Sequence, residues 1–256
     1  MKILLPLPDS DFCVTESAVP WTVLTRAGHE VVFATEEGAR PAGDQLLLGG
    51  LPFGLGAKPD AVACYREMES ALANVTVRRW ADINPGEFDG MFLAGGHAPG
   101  MRQYLGSELL QKKVAEFWEL GRPVGAVCHG VLLLARTLGS DGKPILAGRK
   151  TTCLPKYMER TAWWLTAWKL GRYYRTYEAY VEDEVRASGA LFERGPISLV
   201  KRGTDGDDQP AFVVEDGNYV SARWPGDAWL VGKKFLALLE RKETEHVRES
   251  RATTAG

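Results

Sequence analysis

The chain has 256 residues, 45% hydrophobic and 25% charged, with 31 Lys and Arg against 33 Asp and Glu for a formal net charge of −2. That is enough chain for one large domain with a substantial core. Near-balanced charge without a basic block argues against a nucleic-acid or membrane-surface binder, whose affinity leans on clustered Lys and Arg, and leaves a small molecule or a protein as the expected partner.

The opening KILLPLP is too short and too Pro-interrupted for a signal peptide, and no apolar run approaches the ~20 residues of a membrane span. Cys13, Cys64, Cys128 and Cys153 are widely separated and form no CxxC. The expectation is a reduced, cytoplasmic protein without a disulfide framework or zinc knuckle. Residues 3–5 read as a first strand running into Pro6-Leu7-Pro8-Asp9-Ser10, and residues 16–27 as a helix with Val19, Val23, Leu24 and Ala27 at helical spacing, stopped by Gly28. Residues 30–34 form a second strand and residues 89–94 a third, which leads into Gly95-Gly96-His97-Ala98-Pro99-Gly100. Residues 105–120 read as one amphipathic helix burying Leu109, Val114, Phe117 and Leu120.

Next comes VGAVCHGV, residues 124–131. The pattern small residue, any residue, nucleophile, any residue, small residue (Ala126, Cys128, Gly130) marks a sharp strand-to-helix turn that holds a reactive side chain at the sheet edge. Leu132, Leu133, Leu134 and Leu138 continue it as a helix. A thiol at a helix N-terminus faces unpaired N–H groups and the positive end of the helix dipole, so a thiolate at Cys128 is expected. Strands alternating with helices imply an α/β fold with a parallel sheet that binds ligands at the carboxyl ends of its strands. The Gly95 or Gly96 amide, together with the His129 amide, would supply two donors for an oxyanion there.

Further along, Trp163, Trp164, Trp168, Tyr173, Tyr174, Tyr177 and Tyr180 crowd together. Such density fits core packing, a subunit interface or the wall of a pocket for an aromatic or lipophilic substrate. A final strand at Tyr219–Ala222 leads through Arg223-Trp224-Pro225 into the last helix, and residues 241–256 read as a polar, aperiodic tail. The domain reading is a single unit over residues 1–240.

Three stretches, Glu16 in DFCVTESAVPW, LAGGHAPG at residues 93–100 and GAVCHG at residues 125–130, resemble the ThiJ/PfpI superfamily. The resemblance implies the flavodoxin-like sandwich of class I glutamine amidotransferase domains: a mostly parallel sheet, helices on both faces and an elbow at Cys128. GGHAPG and AVCHG look most like the branch of glutathione-independent glyoxalases and related heat-shock chaperones. That branch carries an inserted segment over the site, similar in position to about residues 40–75, where Gly43, Gly49, Gly50, Gly54 and Gly56 fall.

In the family the glutamate matching Glu16 lies against the cysteine and exchanges a proton with it or with substrate. Burial beside a thiolate would raise its pKa. His129 is adjacent to Cys128, and neighbouring side chains at an elbow point apart. His97 is the other imidazole with access, whereas His29 and His246 look incidental. An acid about thirty residues past the cysteine often completes a triad there, which points to Glu159 in LPKYMERTAWW, and the Trp224 loop approaches the site in the family.

The resemblance therefore implies Cys128, Glu16 and His129 as catalytic residues, without metal or organic cofactor. The reaction is glyoxalase III-like, a 2-oxoaldehyde becoming a 2-hydroxy acid, on a small carbonyl substrate in a homodimer. Two alternatives stay open: a cysteine hydrolase of amides or peptides, and a stress-response chaperone or redox sensor whose cysteine oxidises. Glutamine amidotransferase activity is disfavoured, since it needs a late His-x-Glu and only His246 follows His129.

Overall fold

The structure is a computed structural model that describes residues 1–49, 51–198 and 200–254, with side chains at all of these except Pro52 and residues 245–254. Gly50 and the side chain of His246 lie outside the described residues. The chain opens with β1 (Lys2–Pro6) and a short β2 (Ser10–Phe12), then α1 (Val14–Arg26) and β3 (Glu30–Thr35). A connecting segment holds β4 (Ala42–Gly43) and α2 (Gln45–Leu48) before α3 (Pro59–Leu72). Then follow β5 (Arg78–Arg79), β6 (Gly90–Leu93), α4 (Met101–Leu105), α5 (Glu108–Glu119), β7 (Val124–Val127) and α6 (Gly130–Arg136). The last part comprises β8 (Lys150–Thr151), α7 (Lys156–Leu170), α8 (Val181–Ala187), β9 (Leu191–Phe192), β10 (Val213–Asp216), β11 (Tyr219–Ala222) and α9 (Ala228–Thr254).

Seven strands make one sheet in the order β10-β11-β7-β6-β1-β3-β5, parallel throughout except for the antiparallel edge pair β10 and β11. The β6 and β7 sequences, GMFL and VGAV, are buried along their whole length, as parallel strands covered on both faces must be. On one side α1, α3 and α9 pack together, and on the other α4, α5, α6 and α8 do, so this is the flavodoxin-like arrangement with helices on both faces. Strand order reverses between β1 and β6, because the chain builds outward from β1 to β5 and then returns to lay β6, β7 and β11 on the other side. Such a switch point opens a crevice at the carboxyl ends of the strands. Glu16 follows β1, Gly95 follows β6 and Cys128 follows β7, so all three loops meet at that crevice.

Three local expectations are corrected. Residues 105–120 are two helices, because Gly106 ends α4 and Ser107 starts α5 by accepting a hydrogen bond from Leu110 N–H at 3.1 Å. With that break the buried stripe is Leu110, Val114 and Phe117, while Leu109 and Leu120 are exposed. Leu138 is also exposed, since α6 ends at Arg136 and Thr137 turns extended. Beyond Arg241 the backbone continues α9 to Thr254, in place of an aperiodic tail. The segment over residues 40–75 divides by function: α3 packs on α1 through Ala61, Tyr65 and Met68, and among the described residues Leu47, Phe53 and Leu55 reach the cavity described below. Among the described residues no helix is long and apolar enough to cross a membrane.

After β11 the chain turns on a buried ion pair. Arg223 and Asp227 are both fully buried, joined through Nε to Oδ2 at 2.8 Å and Nη2 to Oδ1 at 2.9 Å. Asp227 also accepts from the Phe212 and Arg223 N–H groups, and Arg223 donates to the Pro196 carbonyl. Removing one partner strands the other charge without water, a loss of ~3–5 kcal/mol. Asp227→Ala is therefore expected to lower the unfolding free energy by about that amount, measured by urea denaturation; a loss near zero would contradict this account of the Trp224 turn.

Candidate active site

Cys128 and the N-cap His129 are the two residues between β7 and α6, and Cys128 takes a left-handed φ of +58°. A non-glycine residue there costs on the order of 1 kcal/mol and persists only where neighbours fix it. The fixing contacts are visible: Cys128 N–H donates to Ala222 O at 3.0 Å, and β6 passes under the elbow. A Cβ on Gly130 would sit 2.3 Å from Leu93 O, which is the physical reason for a small residue at that place in the motif. Cys128 and His129 are almost wholly removed from solvent.

Glu16, in the first turn of α1, is 1% exposed and meets the elbow from the other side. Its Oε2 accepts from Gly95 N–H at 3.1 Å, and the carboxyl lies near enough to the Cys128 thiol for each to shift the other's pKa. Burial pushes the Glu16 pKa up to about 8, with the Cys128 and Gly95 hydrogen bonds pulling it back only in part. Burial also pushes the Cys128 thiol up, followed by the charge of Glu16, against a weaker downward pull from the His129 N–H. The resting site thus holds a thiol beside a carboxylic acid. Exposure to the N-terminus of α6, seven residues long, does not outweigh desolvation, and the thiolate expected from the helix dipole alone is corrected accordingly.

The imidazoles lie close by. His129 Nδ1 is 3.4 Å from Cys128 Sγ, so the adjacent ring does reach the sulfur, against the expectation that the two side chains point apart. The His97 ring stands edge-on to His129 and to Tyr174, with centroids 4.6 Å away in each case. Burial holds both histidines neutral, lowering His97 to about 3 and His129 well below its usual value. The ligand atoms of His97, Cys128 and His129 fall within 4.8 Å of one another, a two-imidazole, one-thiol set of the kind that holds zinc.

The other expected residues divide. The Gly95 N–H is occupied by Glu16, and Gly95 itself has no room for a side chain, since a Cβ would lie 2.7 Å from Glu16 Oε2 and 2.8 Å from His129 N. A Cβ at Gly96 would meet Cys13, Met101 and Asp11, and the His129 N–H pulls on the Cys128 sulfur. Glu159 is buried but turned to the Val181 N–H at 3.1 Å and to Arg175 Nε at 3.9 Å, and its hydrogen bond goes to neither imidazole. Burial raises its pKa to about 7. Trp224 is 8% exposed and forms part of the cavity wall. His29 sits at the far end of the sheet, with Nδ1 3.4 Å from the Met1 amine.

A cavity of about 300 Å³ ends at Cys13 and His97. Its walls come from Leu47, Phe53 and Leu55, from Met158, Ala162 and Leu165 of α7, and from Tyr174, Val200, Arg202 and Trp224. Cys13 and Arg202 were not singled out by sequence reasoning, whereas Tyr174 belongs to the aromatic cluster for which a pocket wall was one of the readings. Cys13 lies three positions before Glu16 and caps α1, a signal available in hindsight, whereas nothing around Arg202 marks it. The aromatic cluster has no single role: Tyr173 and Tyr174 are buried beside His97, Tyr177 and Tyr180 stack on Arg136 and Arg175, and Trp164 and Trp168 are exposed on α7.

Fold and elbow define the class, a flavodoxin-like α/β protein that presents a cysteine at the switch point of a parallel sheet. A family model described as ThiJ/PfpI family-like matches residues 7–198, and the chain belongs to that family. It is 31% identical over 162 residues to a probable glutathione-independent glyoxalase of Schizosaccharomyces pombe, a match that spans 62% of this chain and 56% of that relative. Deglycase PfpI of Pyrococcus furiosus is 27% identical over 240 residues, covering 94% of this chain and 100% of its own. The crystal structure of glyoxalase III from Candida albicans shares the fold with a TM-score of 0.69 at 22% identity, covering 93% of this chain and 97% of that one.

Proposed function

We propose that the chain is a cysteine-dependent enzyme acting on small reactive carbonyl compounds, converting a 2-oxoaldehyde to a 2-hydroxy acid. The observation that carries this reading is the buried Glu16 carboxyl, anchored by Gly95 N–H at 3.1 Å beside the elbow that holds Cys128. A carboxyl with a pKa of about 8 beside the elbow is suited to moving a proton between adjacent carbons, which the isomerisation of a hemithioacetal requires. Relatives named glyoxalase and deglycase support the same reading.

Glu16 in its carboxylate form takes the thiol proton as sulfur bonds to the aldehyde carbon and passes it to the carbonyl oxygen, which gives a hemithioacetal and restores the carboxylate. Glu16 then removes the hydrogen on that carbon while the neighbouring ketone oxygen gains a proton to form an enediol. It returns its proton to the adjacent carbon as the hemithioacetal hydroxyl gives up its own and becomes the thioester carbonyl. The product is a thioester of the 2-hydroxy acid, which water cleaves to release the acid and restore the thiol. One water is consumed and no oxidant or reductant is needed. The His129 N–H stands beside the sulfur, where negative charge develops.

The test is incubation of the purified chain with methylglyoxal, following lactate by proton NMR. Lactate accumulating in proportion to protein is the expected result, whereas consumption without lactate, or no consumption, overturns the reading. One observation favours a second reading, a cysteine hydrolase: His129 Nδ1 lies 3.4 Å from Cys128 Sγ, within reach of a thiol proton. Against it, the ring is held neutral by burial and Glu159 hydrogen-bonds elsewhere, so no acid orients the imidazole as a triad requires. Trapping of an acyl-enzyme with an activated ester would distinguish the two.

A further inference from the structure

The cavity that ends at Cys13 and His97 is larger and greasier than a three-carbon aldehyde requires. Its volume of about 300 Å³ is the share of roughly ten water molecules in the liquid. The walls that Phe53, Leu55, Met158, Leu165 and Trp224 supply carry no charge and come from three separate stretches of the chain. Into this apolar space one cation is set. The guanidinium of Arg202 donates through Nη2 to the Gly54 carbonyl at 3.1 Å and lies 5.0 Å from the Trp224 ring. Among the described residues it forms no ion pair, whereas the buried Arg223 nearby is paired with Asp227.

The other ionisable groups on the wall do not neutralise it. Burial keeps His97 uncharged and raises the Cys13 thiol, and Glu159 is raised to about 7 and faces Arg175. Arg202 is part-buried and feels the charges of Asp60 and Glu16 without an ion pair to either; a guanidinium placed this way is open to an anion, and its planar donors match a carboxylate in two-point contact.

We propose that this cavity takes ligands that join a ring-sized apolar body to a carboxylate, with Arg202 receiving the anion and the wall formed by Met158 and Trp224 covering the apolar part. The corollary, that the carbonyl substrates of the site belong to this amphiphilic acid class, rests on the reading of Cys128 as the nucleophile. Arg202 is then a specificity-determining residue. A three-carbon substrate would use the sulfur and leave most of the cavity to water, so its binding would be weak.

Calorimetric titration of the full chain at pH 6, where Glu159 is largely protonated, compares three probes: 3-phenylpropionate, 3-phenylpropanamide and acetate. The expected result is a Kd for 3-phenylpropionate at least tenfold lower than for either of the others, which lack the charge or the ring. Arg202→Gln should bring the carboxylate and the amide within about twofold of each other, Arg202→Lys should keep part of the preference, and Met158→Gln should weaken both phenyl probes. Equal binding of carboxylate and amide to the unsubstituted chain, or an undiminished preference in R202Q, overturns the proposal. Should R202Q fail to fold, the three-probe comparison on the unsubstituted chain decides alone. Lactate formation from methylglyoxal is scored separately: binding with the stated preference but no turnover removes the reaction and leaves the ligand class, and turnover with no carboxylate preference does the reverse.

Discussion

Replacing Cys128 with alanine is expected to lower the rate of methylglyoxal conversion by about 10³-fold or more, because the sulfur at the elbow is the group that bonds to carbon and leaves again in the proposed reaction. The size of the effect follows from the chemistry: without the sulfur there is no hemithioacetal, and Glu16 alone faces a freely hydrated aldehyde. The fold should survive, since the change removes one buried atom at a cost of ~1 kcal/mol. Cys13 provides the control. Its thiol borders the cavity and is likewise raised by burial, but it sits at the N-cap of α1, where the Thr15 and Glu16 backbone N–H groups, and not the Glu16 carboxyl, hydrogen-bond the sulfur. Cys13→Ala is expected to keep activity within tenfold of the unsubstituted chain. Full turnover by Cys128→Ala, or an equal loss in Cys13→Ala, would show that the sulfur at the elbow is not the nucleophile. Both variants are measured by lactate formation, with melting curves to confirm folding.

The elbow was legible because its motif is short, contiguous and sterically forced: Gly130 must clear Leu93 O, and Cys128 must take a left-handed turn to reach the crevice. Central strands were legible for a similar reason, as their buried apolar runs are unbroken. What the sequence could not supply was competition between groups distant along the chain. The Gly95 amide looked free until Glu16, 79 positions earlier, was seen to occupy it. The thiolate expected from the helix end failed for the same reason, since neither the depth of burial nor the facing carboxyl is a local property of VGAVCHGV. Arg202 lay in a loop with no periodicity to read, and its meaning comes from the apolar wall around it. Even the break at Gly106 and Ser107 was written in the sequence as a cap, but the surrounding helical spacing concealed it.

Glu16 carries the second large effect, and its burial gives two independent readouts. In Glu16→Gln the amide oxygen still accepts from Gly95 N–H, so the geometry is kept, but the group no longer exchanges a proton; turnover should fall by ~10²–10⁴-fold. In the unsubstituted chain the base is the carboxylate. With a pKa of about 8, only about one-tenth of the sites carry it at pH 7. The rate at limiting methylglyoxal should therefore rise with pH and level off above about 8, and a flat profile between pH 6 and 9 would overturn the assignment. Stability moves the other way. A carboxyl whose folded pKa lies above its usual 4.5 adds stability that is complete below the unfolded value and is lost as pH rises through the folded one. The unsubstituted chain should thus lose up to roughly 4 kcal/mol relative to E16Q between pH 5 and pH 8.5, read as a pH-dependent gap between their urea midpoints. A gap that stays constant over that range would mean that Glu16 is ionised in the folded protein at all of these pH values, and the proton shuttle would lose its physical basis even if the variant were inactive.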